Sequence, residues 1–479
     1  MKQFLPIIAA IFCCTLSQAQ NYKVTLSTSQ YNSGIAYLIY HMGKNLNVED
    51  SAAVNNKGIA VFTAKKKLLP GIYAIVLPGK SKTIDFLVDQ EQTIMVKIDT
   101  TDLINKTLVT GSSANILLQQ YQKNIAAKAG LLDAAKKGYS AAITKQDSLQ
   151  QEATYNRLNK ELNDYRENLI KTQSASMMSA LLLAMKDPSV IIAQPKTHSD
   201  SVQNYQHYKA HYWDGVTFMD DRIIRTPFFL PKLERYYREL MVPDADSIIK
   251  EVDYQLLLAR SSPEMYKFLL NWLTDEYMNP KYMGQDAVFV HLFEKYHSKG
   301  LSSWLNEKQM ESVSRRAYML MSNLIGAKAA ELDMIDSTGK AAPLYAVTAD
   351  YTVLVFWDPS CGHCKEEIPR LDSVYRANWK AHNVKIYAVL SADSKEDLKK
   401  DWLKFIGEHH LQNWNNVYQT KAMEAEGIAA QKPGYRQLYD VTLIPTLYLL
   451  DKEKHIVAKK LTWQQIDDFL KVKWALKTN

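Results

Sequence analysis

The chain has 479 residues, of which 47% are hydrophobic and 23% are charged, and its formal net charge is +7. This length exceeds what one hydrophobic core supports and the apolar content argues against disorder, so we predict about three folded domains. Lysine and arginine alternate with acidic residues instead of forming a basic stripe, and we therefore predict no nucleic-acid partner.

The N-terminus has the pattern of a secretory signal peptide at residues 1–19. Lys2 precedes an apolar run from Phe4 to Leu16, and small residues then lead to a predicted cleavage site after Ala19. We therefore expect the protein in the periplasm or cell envelope. An uncleaved anchor is disfavoured because the run is short for a bilayer, and acylation at Cys13 or Cys14 is disfavoured because the residues before them are not small.

Residues 20–112 are predicted to form an antiparallel β sandwich or small barrel. Short β-type runs alternate with turn signals along this region, and none contains a cluster of catalytic type. The predicted strands are Tyr22–Ser27, Ile35–His41, Ile59–Thr63, Ile72–Leu77, Thr83–Val88 and Thr93–Ile98. We assign this domain to binding or packing.

Residues 113–324 are predicted to form an all-α domain. Ser113 is placed to cap its first helix, and Asp187-Pro188 is expected to end an exposed helical hairpin. His207 and His211 lie one helical turn apart, but no further ligand completes a metal site near them. We predict a surface pair there and no metal in the protein.

Residues 325–479 change to alternating strands and helices, which predicts a C-terminal α/β domain with a parallel core. Its apolar strands are Tyr351–Trp357, Val384–Leu390 and Thr446–Leu450. The sequence Cys361-Gly362-His363-Cys364 follows the first strand directly and precedes a predicted helix. Cys361 should therefore lie at a helix N-terminus.

This placement predicts a redox-active dithiol. Free N–H groups and the positive end of the helix dipole favour the thiolate of Cys361, which we assign as the nucleophile. Cys364 lies one turn further and is assigned as the resolving thiol. Gly362 and His363 should tune the redox equilibrium, and a protonated His363 should make the pair a comparatively good oxidant. A structural zinc site would need four ligands, which this domain does not supply, and no cofactor is predicted.

The residues around the motif resemble the TlpA-like branch of the thioredoxin superfamily. The resemblance rests on Val355–Ser360, on Lys365–Pro369 and on Ile444-Pro445, which matches the cis-proline of that family. It implies a thioredoxin-like fold and an envelope thiol-disulfide oxidoreductase, often a reductase in cytochrome c maturation. Its partners would be protein substrates with thiols or disulfides and a membrane thiol protein that donates or accepts electrons.

The same resemblance assigns further site residues. Ile444, Pro445 and Trp357 would bind the substrate chain. Glu367 matches a glutamate that would accept the proton of Cys364. An ordinary surface glutamate is the alternative for Glu367. The buried aspartate of thioredoxins proper is replaced by Val355.

The regions before residue 325 carry weaker resemblances. The leading β region resembles a small domain of unknown function often found ahead of such modules. Residues 212–227 resemble a helical accessory domain of the same kind of protein.

Two other functions stay open. A thiol peroxidase would need Thr or Ser three residues before the reactive cysteine and Pro seven before it, where this chain has Asp358 and Leu354. A non-catalytic envelope adaptor would use the thioredoxin fold as a support, although it would not need both sulfurs and Pro445. The direction of electron flow is left open.

Overall fold

The structure is a computed structural model that describes residues 22–80, 82–391 and 398–478. The predicted signal peptide and its cleavage site after Ala19 lie outside the described residues. Within them, no helix combines the length and the apolar character that crossing a bilayer requires.

The chain divides into two compact units. One contains residues 22–240 and 257–266, and the other contains residues 241–256 and 267 onward. The later helices of the central region therefore group with the C-terminal sheet.

The first unit begins with a β sandwich, as predicted. Its strands are β1 Tyr22–Thr28, β2 Ile35–Met42, β3 Asn45–Ala53, β4 Ile59–Ala64, β5 Gly71–Val76, β6 Thr83–Val88, β7 Thr93–Ile98 and β8 Leu108–Thr110. They form two four-stranded sheets, in the orders β4-β1-β7-β8 and β3-β2-β5-β6. The sheets are antiparallel except for the parallel pair β1 and β7, and β3 and β8 were not predicted.

Alternating burial explains why these sheets pack face to face. Tyr22, Val24 and Leu26 of β1 are buried while the residues between them are more exposed, and both sheets contribute to one hydrophobic core. The turn before β4 requires glycine at Gly58, where φ is +71° and a Cβ would lie 1.7 Å from the carbonyl oxygen of Thr28.

The central region is helical, as predicted. Its helices are α1 Ser113–Ala141, α2 Lys145–Thr172, α3 Met177–Met185, α4 His198–Ala210, α5 Phe229–Arg235, α6 Ala245–Leu258, α7 Pro263–Met278, α8 Asp286–Leu292 and α9 Glu307–Met321. Helices α1 and α2 pack as a hairpin.

Two predicted details of this hairpin are wrong. Ser113 is the first helical residue instead of the cap, and its hydroxyl donates to Glu91 at 2.7 Å. The arm ends at Thr172, before α3 starts, so Asp187-Pro188 terminates a later helix. Both differences concern helix ends, where local signals compete with tertiary contacts.

The second unit contains the predicted thioredoxin-like fold. Its strands are β9 Ile335–Asp336, β10 Tyr351–Trp357, β11 Val384–Leu390, β12 Asn415–Tyr418, β13 Thr446–Leu450 and β14 Ile456–Lys459. Its helices are α10 Gly362–Val374, α11 Leu398–Glu408, α12 Lys421–Ala429, α13 Tyr435–Leu438 and α14 Trp463–Thr478.

The six-stranded sheet has the order β14-β13-β10-β11-β12-β9 and is mixed instead of parallel. Strands β10, β11 and β12 run parallel, whereas β13 is antiparallel to β10. The predicted parallel core is therefore correct for β10 and β11 and wrong for β13, and β12 was not predicted. Successive residues of β10 belong alternately to two separate hydrophobic clusters, one on each face of the sheet. Both faces of the sheet are therefore covered.

The outer edge of β14 is covered by the segment that leads into the sheet. The backbone amide of Gly326 donates to the carbonyl of Ile456 at 2.8 Å, and the amide of Ile456 donates to the carbonyl of Ala327 at 2.9 Å. The amide of Ala329 donates to the carbonyl of Lys454 at 2.8 Å. This strand therefore does not present a row of unpaired backbone groups.

Candidate active site

The end of β10 and the start of α10 position the two cysteines. The strand ends at Trp357, and Cys361 is the N-cap residue of α10, with extended backbone angles. A tight turn joins the two elements, in which the Cys361 amide donates to the Asp358 carbonyl at 3.2 Å. The Ser360 amide also donates to the Asp358 carboxylate at 2.6 Å. The thiol of Cys361 therefore lies at the helix end where N–H groups have no partner within the helix.

Strand pairing brings the proline loop to the same place. Phe356 of β10 pairs with Thr446 of β13, so the chain that leaves β10 lies beside the chain that enters β13. The Ile444-Pro445 peptide bond is cis. The Cys361 thiol donates to the Ile444 carbonyl, with 3.8 Å between Sγ and the oxygen. Residues 83 positions apart thus meet at one site.

The two thiols have different environments, and neither is in a disulfide. Cys361 is half-buried, whereas the side chain of Cys364 is fully buried. Burial raises the pKa of the Cys364 thiol from 9.0 to about 12, and its interactions with Cys361 and with the charge of Asp358 add to the rise. A hydrogen bond from the Asp358 backbone opposes it. Only Cys361 is accessible to a large substrate.

Glu367 and His363 line a groove beside the proline loop. The groove has a volume of about 450 Å³, and it also contains Thr442, Leu443, Pro445, Thr446, Leu447, Ile368, Leu371, Lys460, Leu461, Thr462 and Trp463. His363 and Gly362 are exposed, and Glu367 is half-buried. The Glu367 carboxylate accepts from Arg370, one turn along the helix, at 3.1 Å.

The structure does not support a substrate contact by Trp357. Its side chain is fully buried, and its ring packs 5.1 Å from that of Phe405. A substrate chain could reach this ring only if the core opened. Leu443 is the large apolar side chain that borders Pro445 on the surface, with 79% of its area exposed.

Asp358 is a site residue that sequence reasoning overlooked. Its side chain is 8% exposed, and its charge acts on the buried thiol of Cys364. An Asp directly after a strand that caps the following turn is a local signal that could have identified it.

Among the described residues, no group of three His, Cys, Asp or Glu side chains is arranged to hold a metal ion. His207 and His211 lie with ring centroids 4.4 Å apart, and Nδ1 of His211 lies 2.7 Å from the carboxylate of Asp214.

Comparison with protein families assigns two regions of the chain. A model described as the AhpC/TSA family matches residues 325–459, which include Cys361, Cys364 and Pro445. A model described as a domain of unknown function (DUF4369) matches residues 22–118, which cover the β sandwich and the start of α1. No curated protein is detectably similar to this chain.

Several solved structures are similar to part of the chain. A domain of a possible thiol-disulfide isomerase from Cytophaga hutchinsonii is 38% identical, with 33% of this chain and 97% of that chain covered and a TM-score of 0.28. A thioredoxin-like protein from Bacteroides caccae is 23% identical, with 60% and 98% covered and a TM-score of 0.44. The thioredoxin domain of a thiol-disulfide oxidoreductase from Bacteroides vulgatus is 29% identical, with 30% and 96% covered and a TM-score of 0.25.

Proposed function

The C-terminal region of this chain belongs to the AhpC/TSA family of thioredoxin-like proteins, and from this premise we propose that the protein is a thiol-disulfide oxidoreductase that acts on protein substrates. The observation that carries the proposal is the meeting of a half-exposed Cys361 at a helix N-terminus with the Ile444 carbonyl and the cis-proline loop. A buried second thiol behind the first supports a two-step exchange.

In the reducing direction, the Cys361 thiolate attacks one sulfur of a substrate disulfide. The substrate S–S bond breaks, its second sulfur leaves as a thiolate that takes up a proton, and a mixed disulfide joins Cys361 to the substrate. Cys364 then loses its proton and attacks the Cys361 sulfur. The reduced substrate is released, and the protein holds a Cys361–Cys364 disulfide that a thiol protein at the membrane reduces again. The reverse sequence oxidises a substrate dithiol.

Glu367 is proposed as the proton acceptor of Cys364. Burial moves the pKa of this thiol further above neutrality, so its attack on the mixed disulfide requires a base. Glu367 lies one turn beyond Cys364 on α10, and its half-buried side chain lines the same groove as Pro445.

Export is part of the proposal and rests on the predicted signal peptide. Cell fractionation with N-terminal analysis of the mature protein would test it, and we expect a chain that begins at Gln20. A mature chain that begins at Met1 in the cytoplasm would contradict export without touching the redox chemistry.

The experiment that tests the chemistry combines two cysteine variants. We expect Cys361→Ser to abolish reduction of insulin by dithiothreitol, and Cys364→Ser to accumulate mixed disulfides with envelope proteins. A chain with Ser in place of both cysteines and the exposed Ser373→Cys change on the same helix serves as a lone-thiol control. Equal trapping by this control, or full activity of Cys361→Ser, would refute the mechanism. An adaptor would trap no partner.

Peroxidase activity is the competing redox chemistry. Where the peroxidase motif has Thr or Ser, this chain has Asp358, and where the motif has Pro, this chain has Leu354. Asp358 places a negative charge at the position of the hydroxyl. We expect no turnover of hydrogen peroxide above that of the Cys361→Ser variant.

A further inference from the structure

Asp440 is a buried carboxylate that two cations hold from different elements. It lies two residues after the end of α13, its side chain is 0% exposed, and its backbone is left-handed, with φ +46°. One oxygen accepts from Nη1 of Arg316 at 2.7 Å, and the other accepts from Nζ of Lys460. Arg316 lies 124 residues earlier in the chain, in helix α9.

The two cations reach the carboxylate from different parts of the unit, and one of them, Lys460, also lines the groove beside the cysteines. Asp440 begins the loop that runs to Ile444 and Pro445. Lys460 follows β14 and lines the same groove as Pro445. The backbone amide of Lys460 also donates to the Leu447 carbonyl at 2.7 Å, directly beyond the proline loop. Asp440 therefore connects the start of the proline loop to Lys460 of the groove and to Arg316 of α9.

Helix α9 attaches the loop at Asp440 to the rest of the unit. Nε of Arg316 donates to the carbonyl of Met278 at 3.1 Å, so both ends of its guanidinium group are engaged. Asn323, just after α9, donates to the Leu438 carbonyl at 3.0 Å, two residues before Asp440. The loop thus has two independent attachments to this helical segment.

The charges favour a rigid attachment. Burial acts to raise the pKa of Asp440, but the hydrogen bonds from Arg316 and Lys460 hold it below its usual value, so the carboxylate stays ionised. A buried and ionised carboxylate without partners has a large unfavourable free energy. The loop is therefore held where both cations reach Asp440.

On the basis of the proposed function, we propose that Arg316 is a positioning residue for protein substrates, which acts through Asp440 on the proline loop. A protein disulfide must lay its chain along this loop, whereas a small aromatic disulfide needs only the Cys361 sulfur. The loss of Arg316 therefore affects recognition of a protein substrate more than the reactivity of the thiol.

The test compares two substrates in the full chain. Arg316→Met should raise the KM for insulin about tenfold, the expected effect of one lost hydrogen bond to a charged group, with kcat changed less than KM. The rate with 5,5′-dithiobis(2-nitrobenzoate) should stay within about twofold. Arg315→Met is the matched control, because Arg315 is the exposed neighbour on the same helix.

Two further variants keep the test decisive if Arg316→Met does not fold. Arg316→Lys retains a cation and should recover part of the insulin KM. Asp440→Asn keeps the size of the side chain, tolerates the left-handed backbone and should reproduce the defect. The effects of Arg316→Lys and Asp440→Asn should not add in the double variant, since both act through one contact.

Two results would overturn the proposal: an unchanged insulin KM in folded variants, or an equal loss of activity on both substrates. The proposed function fails in a different way. In that case the wild type reduces neither substrate, or Cys361→Ser retains activity, whatever residue stands at 316.

Discussion

The buried thiol of Cys364 gives a quantitative test of the site. Burial raises its pKa from 9.0 to about 12, so at pH 8 its thiolate fraction should fall from about one in ten to about one in ten thousand. Iodoacetamide reacts with the thiolate form of cysteine. We therefore expect the reagent at pH 8 to modify Cys361 of the reduced protein and leave Cys364 unmodified.

The assay follows Cys364 alone in the Cys361→Ser variant. Mass spectrometry would measure the alkylation rate from pH 8 to pH 11, with circular dichroism at each pH to verify folding. The rate should rise about tenfold per pH unit over this range. The Cys361→Ser change removes a minor contribution to the shift, and burial, the largest, remains.

Steric protection and a raised pKa can be separated in this assay. Shielding by the core lowers the rate at every pH, but it does not move the midpoint of the curve. The same variant in guanidinium chloride provides the control, where the rate should level off near pH 9. A plateau near pH 9 in the folded protein would refute the reasoning, because the pKa of Cys364 would then be that of an ordinary thiol.

Three further outcomes concern buried charges. Asp358→Asn removes a negative charge that raises the pKa of the Cys364 thiol, so its alkylation profile should shift to lower pH, and an unchanged profile would contradict this. Lys459→Met leaves the carboxylate of Asp286 without its buried cation and should lower the free energy of unfolding by about 3–5 kcal/mol in urea denaturation. A loss below about 1 kcal/mol would show that the pair is dispensable. Burial lowers the pKa of His297 from 6.5 to about 4. Between pH 6.5 and pH 4 this histidine is therefore protonated in the unfolded chain and neutral in the folded protein. Stability should therefore fall by up to about 3 kcal/mol as the pH drops from 6.5 to 4, and His297→Gln should remove that part of the slope.

Local sequence predicted the cysteine half of the site well. Cys361 is placed by a continuous signal, in which an apolar strand, a turn and a helix follow one another within a few residues. The helix begins at Gly362, inside the motif that was predicted to precede it, because the motif itself forms the first turn. Pro445 lies 84 positions later, and only the family resemblance connected it to the cysteines. The pairing of Phe356 with Thr446 is the physical reason that they meet.

Other features had no local signal. Trp357 belongs to a strand whose two faces are both buried, and an unbroken apolar run does not tell which ring borders a groove. The residues of β13 do not indicate whether the strand runs parallel or antiparallel to β10. That orientation depends on how the chain enters the sheet. The contact between Arg316 and Asp440 joins two residues in separate elements, and no pattern along the chain pairs them.

The segment at residues 326–329 has a practical consequence for anyone who expresses the C-terminal region alone. A fragment that starts after Ala330 would uncover the outer edge of β14, and an open strand edge recruits other chains into intermolecular sheets. Such a fragment should form concentration-dependent aggregates, whereas one that starts at Asn323 keeps the edge closed and should stay monodisperse.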